Sequence, residues 1–434
     1  MSALQPYPAY KPSGVPWLGD IPAHWQVRRL KFVASVFNSN VDKRSEEGET
    51  PVKLCNYIDV YNNERITTDL PFMQATASER EIVKFALRGG DVIITKDSED
   101  WRDIAVPALV VEDLREVICG YHLAVIRPLA GQLDSRYLLR CLQSAAVSYQ
   151  FQIAATGITR YGLSKQAIGD VVVPCPPLAE QRAITEYLDR ETARVDALIA
   201  RKRALLEQLA RWRSAAISHA VTKGLNPDAP LKPSGVPWLG DIPAHWQVRR
   251  LKFVAASASE KLEQKPAAVP YLGLENVESW TGKLLLESPQ EEVESTVSVF
   301  HRGDVLFGKL RPYLAKVVLA EFDGVCSTEF MVLRPVQPLL DKRYLFYTLL
   351  SDGFISVVDS LTHGAKMPRA SPEQVVNLCI PLPPLAEQCA IAEHLDRELE
   401  RLGRLRESVE TSIALLQRYR TALISAAVTG RVRV

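Results

Sequence analysis

The stretch KPSGVPWLGDIPAHWQVRRLKFVA runs from Lys11 to Ala34 and recurs without a change from Lys232 to Ala255, 221 positions later (232 − 11). A second marker, PPLAEQ, stands at Pro176 and again at Pro383, 207 positions apart (383 − 176), and the chain aligns without a gap from there to its end. Along that alignment LDRE at Leu188 matches LDRE at Leu395, and AVT at Ala220 matches AVT at Ala427. The 14-residue difference between the two spacings (221 − 207) falls between the markers, where the halves also differ most. The chain is therefore two variants of one unit, and repeats of this kind are read before anything else.

Each unit has three parts. PSGVPWLGDIP is punctuated by Pro and Gly, too broken for a helix, so the arm is extended. Trp17 and Trp25, with Trp238 and Trp246, are apolar anchors that pack it either as a strap on its own domain or as a clasp on a partner. The variable tract follows, with GDVIITK at Gly90 and GDVLFGK at Gly303 reading as strands entered from a turn. A strand and then a helix are read in VICGYHLAVIRPLAGQLDSRYLLRCLQS and its counterpart GVCSTEFMVLRPVQPLLDKRYLFYTLLS.

The third part is a long helix, led in by Pro176–Pro177 and stopped at Gly224, with Glu180 in the first turn where the helix dipole favours a carboxylate. A 4-3 spacing gives a pairing seam of Ile184, Leu188, Val195, Leu198, Leu205, Leu209 and Trp212. The second copy gives Ile391, Leu395, Leu402, Leu405, Val409, Leu416 and Tyr419. A helix of roughly 40 residues is about 60 Å long, too long for one small domain to cover, so its expected partner is its own copy, antiparallel, with the variable domains at opposite ends of a dumbbell. The expected fold class is α+β, two pseudo-repeat α/β domains separated by two long antiparallel heptad-patterned helices. The expected boundaries are 1–175 and 232–382 for arm plus variable domain, 176–222 and 383–430 for the helices, and 223–231 for the linker.

Composition is that of an ordinary globular chain, 24% charged with a formal net charge of +1. No signal peptide and no membrane-length apolar run is read, so the cytoplasm is the expected compartment. The seven cysteines are scattered and form no C-x-x-C pair, which points to reduced thiols; Cys119 and Cys326 share a repeat position, the mark of a core site. Phosphate-loop, dinucleotide, zincin and nucleophile-elbow motifs are absent, as is the [DNS]-P-P-[FYW] step of a base-amino methyltransferase. The carboxylates of KDSEDWRD at Lys96 have the composition of a Mg²⁺ site, but KLRPYLAK stands there in the second unit, so a solvated loop is the better reading. Polar contacts are expected of His24 and His245.

Arm, variable domain, GDV strand, TGITRYGLS at Thr156, PPLAEQ and long helix, each element present twice, resemble the specificity subunit of a type I restriction-modification enzyme. The resemblance covers nearly the whole chain. It implies a non-catalytic DNA-reading subunit whose target-recognition domains each read one half of a split, asymmetric double-stranded sequence. The paired helices would set the gap and hold two modification (methyltransferase) subunits, through which two restriction (ATP-dependent translocase and nuclease) subunits join. S-adenosylmethionine, ATP and Mg²⁺ would belong to those partners, with none in this chain. Identical arms and helices would then fit identical partners, while the variable tracts differ because they read different bases. The competing expectation is a two-domain nuclease, or a fused restriction-modification enzyme with a divergent active site.

The candidate DNA-binding residues lie on loops: Lys96, Arg102, Arg160, Tyr161 and Lys165 in the first unit, and Lys309, Arg311, Tyr313, Lys366 and Arg369 in the second. Arg and Lys match guanine edges, and Tyr packs on sugar or base. TGITRYGLS has become HGAKMPRAS at His363, so the loop's place transfers more securely than each residue's role. Residues 34–172 hold 15 basic and 19 acidic residues, and residues 255–379 hold 12 and 16, so each tract is four units acidic. Phosphate affinity scales with Lys and Arg, so these domains alone would hold DNA weakly.

Overall fold

Asp91 and Asp304, of the two GDV motifs, are almost fully buried carboxylates, and burial of a charge demands a partner. Each finds an arginine from the RP step of a neighbouring strand. Arg127 meets Asp91 at 2.6 Å through Nε and 2.7 Å through Nη2, and Arg334 meets Asp304 at 2.8 Å through both nitrogens. Gly90 and Gly303 supply the left-handed turn that leads in, at φ 91° and 98°. The computed structural model describes residues 5–265, 269–285, 295–364 and 366–434. It divides into two compact units, one of residues up to Lys202 together with Thr411–Val434, the other Arg203–Glu410.

In the first unit a five-stranded sheet runs in the order Ala34–Asn38, Leu123–Pro128, Val92–Thr95, Pro107–Val110, Arg65–Ile66. Val125 at its centre pairs with Phe37 on one side and Ile93 on the other. A four-stranded sheet, Met73–Ala77, Thr50–Cys55, Leu114–Cys119, Ala86–Leu87, packs on it around Leu54, Phe85, Ile93, Ile118 and Val125. The second unit repeats the pattern with Ala255–Ala258, Phe330–Pro335, Val305–Gly308 and Val317–Leu319, and with a smaller sheet of Lys261–Leu262, Val297–Phe300, Gly324–Ser327 and Tyr271–Leu272. Cys119 and Cys326 are both buried in these cores, and burial pushes the Cys326 thiol up to about 12.

The arm is a strap on its own unit. Gln26–Arg29 pairs antiparallel with Val172–Cys175, the strand that feeds the first long helix, and Gln247–Arg250 pairs likewise with Cys379–Leu382. Trp25 and Trp246 are fully buried. His24 Nε2 lies 2.8 Å from Glu180 of the first PPLAEQ, and His245 Nε2 lies 2.8 Å from Glu387 of the second. The two sequence markers are thus the two sides of one contact.

The long helices are Leu178–Lys223 and Leu385–Val428. In the first unit the start of one runs antiparallel to the end of the other: Ile184 and Leu188 share a core with Leu423, Ile424, Ala427 and Val428, while Asp196 pairs with Arg420 at 3.0 Å. In the second unit Ile217, Ala220 and Val221 share a core with Ile391, Leu395 and Leu399. Each unit therefore contains the helix end of the other repeat, in keeping with the antiparallel pairing expected of the two helices. Tyr137 donates to the carbonyl of Val428 at 3.4 Å, and its counterpart Tyr344 donates to that of Val221 at 3.2 Å.

The seam is phased differently from the expected 4-3 series. Ile184, Leu188, Val195, Leu209, Ile391, Leu395, Leu402 and Val409 are buried, and Leu416 is half-buried. Leu198, Leu205, Trp212, Leu405 and Tyr419 are exposed, Trp212 by 61%. Ile199, Leu206 and Arg213, and in the second helix Leu399, Arg406, Ile413 and Arg420, take the inward places one residue later. The shift is possible because Leu198–Ile199 and Leu205–Leu206 put apolar side chains in both registers. The later register also moves Glu191 and Glu398 off the stripe and turns Arg213 and Arg420 toward the domains. Among the described residues no helix is long and apolar enough to cross a membrane.

Arg420 Nη2 meets Glu64 at 2.6 Å, and Arg140, itself buried, meets the same carboxylate at 2.9 Å. Burial raises the Glu64 pKa, but the two arginines outweigh it and hold the carboxyl below its usual range. A depressed folded-state pKa contributes stability above the unfolded value, about 4.3, and that stability is lost as pH falls through the folded value. Glu64→Gln is therefore expected to cost about 1–3 kcal/mol at neutral pH, discounted for partial exposure. Thermal melts of both proteins against pH should show the gap closing below about pH 4.

Candidate nucleic-acid interface

In each unit the GDV strand ends in a lysine, and a hairpin and a neighbouring strand converge on it through matching backbone bonds. Lys96 donates its amide to the carbonyl of His122 at 2.9 Å and accepts from Leu163 at 2.8 Å; Lys309 donates to Glu329 at 2.8 Å and accepts from Ala370 at 3.0 Å. The hairpin closes through reciprocal bonds between Thr156 and Gly162, at 3.1 and 2.9 Å, and between His363 and Arg369, at 3.2 and 3.1 Å. TGITRYG and HGAKMPR thus form the same hairpin although only their glycine is shared. That glycine has a positive φ in both, 147° at Gly157 and 102° at Gly364.

The side chains mounted on this common frame differ. In the first unit His122 Nδ1 lies 2.8 Å from Asp97 Oδ2, and Arg160 Nη2 lies 3.3 Å from the same ring nitrogen. Lys96 Nζ lies 3.3 Å from Asp97 and 4.5 Å from the centre of the Tyr121 ring. Tyr161 is half-buried beside them, paired in register with Ser98. Lys96, Arg160 and Tyr161 are thereby brought together. Lys165 is exposed at the first position of the short helix Lys165–Asp170, and Arg102 is engaged by Asp100 of its own loop at 2.8 Å. That pairing holds Asp100 below the usual carboxylate range. Asp103 accepts from Tyr61 at 2.7 Å, and Tyr61 stacks on Tyr57 with ring centres 5.5 Å apart. Asp97, Asp100 and Asp103 of KDSEDWRD are therefore directed to separate partners, and among the described residues no His, Cys, Asp and Glu cluster is arranged to hold a metal ion.

In the second unit Arg369 Nη2 meets Glu329 Oε1 at 2.7 Å, and Lys309 stands beside them. Burial lowers the Lys309 pKa, and the Glu329 carboxylate only partly offsets it. Arg311 sits in the left-handed region at φ 49°, a strained place for a side-chain-bearing residue, and donates its amide to Pro368 at 2.8 Å. Tyr313, in the turn Pro312–Leu314, and Lys366, at the hairpin tip, are exposed. Lys309 and Arg369 converge on Glu329, and Arg311 is tied by its backbone to the same hairpin, while among the described residues no hydrogen bond or ion pair ties Tyr313 or Lys366 into the cluster. Sequence reading missed Asp97, His122 and Glu329. The available signal was the repeat itself, since His122 and Glu329 each stand three residues after the matched cysteines Cys119 and Cys326.

A family model described as type I restriction modification DNA specificity domain matches residues 22–208 and 243–408. The chain is 27% identical over 291 residues to the type I restriction enzyme EcoDI specificity subunit of Escherichia coli, a match spanning 62% of this chain and 64%, less than two thirds, of that protein. It is 22% identical over 431 residues, 96% of each chain, to the putative type I restriction enzyme MjaX specificity subunit of Methanocaldococcus jannaschii. A solved chain from work on complex assembly and conformational transition of the type I R-M system shares the fold, with a TM-score of 0.66 at 20% identity over 94% of this chain and 98% of that one.

The hairpin frame generates a direct test. A Cβ on Gly157 would lie 1.9 Å from the carbonyl oxygen of Arg160, so Gly157→Ala is expected to open the Thr156–Gly162 bonds. Amide exchange at Gly162 should lose protection while that of Ile93 and Val125 in the central sheet is kept.

Proposed function

The chain belongs to the family of type I restriction modification DNA specificity domains, and on that premise we propose that it is the non-catalytic subunit that reads a bipartite, asymmetric DNA target. The observation that carries this reading is the pair of hairpins: one backbone frame, held by equivalent hydrogen bonds, presenting Lys96, Arg160 and Tyr161 in one unit and Lys309, Arg311 and Arg369 in the other. Identical frames with different polar side chains suit two domains reading different base edges, because base contacts specify while the frame only positions. Arg102, Lys165, Tyr313 and Lys366, exposed on neighbouring loops, serve phosphates and sugars.

The variable domains, 1–175 and 232–382 with their arms, take one half-site each. The helices, 176–222 and 383–430, fix the unspecified gap and hold one modification subunit per repeat, to which the restriction subunits attach. Methyl transfer from S-adenosylmethionine, ATP use and Mg²⁺-dependent cleavage then belong to those partners, and the complex works in the cytoplasm. Each recognition tract is acidic overall, so the modification subunits supply much of the phosphate clamp. The nuclease alternative has no supporting cluster among the described residues.

A chain ended at Lys223 tests the repeat account. It loses Leu423, Ile424, Ala427 and Val428 from its core, but a second copy offers Ala216, Ile217, Ala220 and Val221 at the same repeat positions. The expected outcome is a homodimer, weakened because Leu423 is replaced by Ala216, a change of the Leu-to-Ala kind that costs about 2–5 kcal/mol per core. With modification subunits present it should methylate an interrupted palindrome of the first half-site, since protein two-fold symmetry is mirrored in the DNA. Sedimentation and methylation mapping read both results. A stable monomer, or an asymmetric target, contradicts the account.

A further inference from the structure

One framework position meets the hairpin arginine in both units. His122 and Glu329 are equivalent, since each gives its carbonyl to the amide of the lysine that ends the GDV strand. The arginines are not equivalent in sequence: Arg160 is the fifth residue of TGITRYG, Arg369 the seventh of HGAKMPR. Yet Arg160 Nη2 lies 3.3 Å from His122 Nδ1, and Arg369 Nη2 lies 2.7 Å from Glu329 Oε1. Two unlike hairpin sequences have each placed a guanidinium against the same framework position, occupied by His122 in one unit and Glu329 in the other.

The cluster of the second unit also holds unmet hydrogen-bonding capacity. Among the described residues Glu329 Oε2 and Arg311 Nε are enclosed without a hydrogen-bond partner. The Arg369 side chain is 57% exposed while Glu329 is 25% exposed, so the carboxylate lies behind and the guanidinium in front.

We propose that Arg160 and Arg369 each read a guanine of their half-site in the major groove, and that His122 and Glu329 are the positioning residues that hold them for it. This deepens, and rests on, the reading of one half-site per domain. The guanidinium carries five N–H donors. One Nη2 proton directed at Glu329 leaves the other Nη2 proton and those of Nη1 facing outward, a fork that matches guanine O6 and N7. A side chain held from behind loses less freedom on binding, which suits a base edge; unbuttressed Lys165 and Lys366 suit phosphates. His122, its Nδ1–H given to Asp97 at 2.8 Å, supports Arg160 by the ring itself, since Arg160 Nη2 lies 3.3 Å from Nδ1 and 3.4 Å from Nε2, whereas Glu329 holds Arg369 by a direct hydrogen bond.

The experiment is methylation mapping with the full chain and its modification subunits, comparing wild type with Arg369→Ala, Arg369→Lys, Glu329→Gln and Glu329→Asp. The wild-type target should contain a guanine in its second half. Arg369→Ala should lower discrimination at that one position by about tenfold or more, and Arg369→Lys, which keeps the charge but not the fork, should relax it too. Glu329→Gln should relax the same position by a smaller factor, Glu329→Asp should restore it, and Glu329→Gln added to Arg369→Ala should change nothing further. The first half-site should be unaltered throughout. Melting and complex assembly identify any variant that fails to fold, in which case Arg369→Lys, on an exposed side chain, decides. Loss spread equally over all sequences, relaxation in both halves, or no relaxation at the guanine overturns the proposal while leaving a bipartite wild-type target intact. A wild-type target that is not bipartite overturns both this inference and the reading beneath it.

Discussion

Each recognition unit is closed by a helix end that belongs to the other repeat. Tyr137 delivers its buried hydroxyl to the carbonyl of Val428, and Tyr344 reaches that of Val221 as well as Pro381 of its own repeat, so each buried phenol meets the helix end of the other repeat. Leu423, Ile424, Ala427 and Val428 on one side, and Ile217, Ala220 and Val221 on the other, then fill the apolar space beside these tyrosines. Neither repeat can bury its core from its own residues. The two helix ends accordingly share Ile217, Ser218, Ala220, Val221 and Thr222 with Ile424, Ser425, Ala427, Val428 and Thr429, each set serving an equivalent socket.

From this constraint the rest follows. The arm ties the strand before each helix to the domain through Gln26–Arg29 and Gln247–Arg250, and His24 and His245 fix the helix start through Glu180 and Glu387. Arg420 then meets Glu64 and Asp196, while Arg406 meets Glu278 at 3.2 Å, so each helix holds its domain by charge as well as by apolar contact. With start and end both fixed, the hairpin and the GDV strand keep one backbone frame in both units and differ in the side chains they carry.

Much of this was legible in the sequence. Two identical arms and two PPLAEQ markers gave the repeat, the double GDV runs gave strands entered from a turn, and Gly224 marked the helix stop. The phase of the helix stripe was not legible, because Leu198–Ile199 and Leu205–Leu206 satisfy either register and only packing against the domains selects the later one. The expected antiparallel pairing brought each helix end to the other repeat's domain, but that the end completes the core there was not legible, because the heptad pattern speaks only of the helix–helix seam. His122 and Glu329 were missed because a single histidine or glutamate carries no periodic signal, and their equivalence emerges from backbone bonds to Lys96 and Lys309.

The central claim is that one frame, used twice with different side chains, reads two different half-sites. The most direct measurement is base-resolution methylation mapping of DNA treated with the full chain and its modification subunits. The account predicts a single bipartite target whose two specified halves differ and are separated by a fixed unspecified gap. A continuous target, or one with two identical inverted halves, would contradict it.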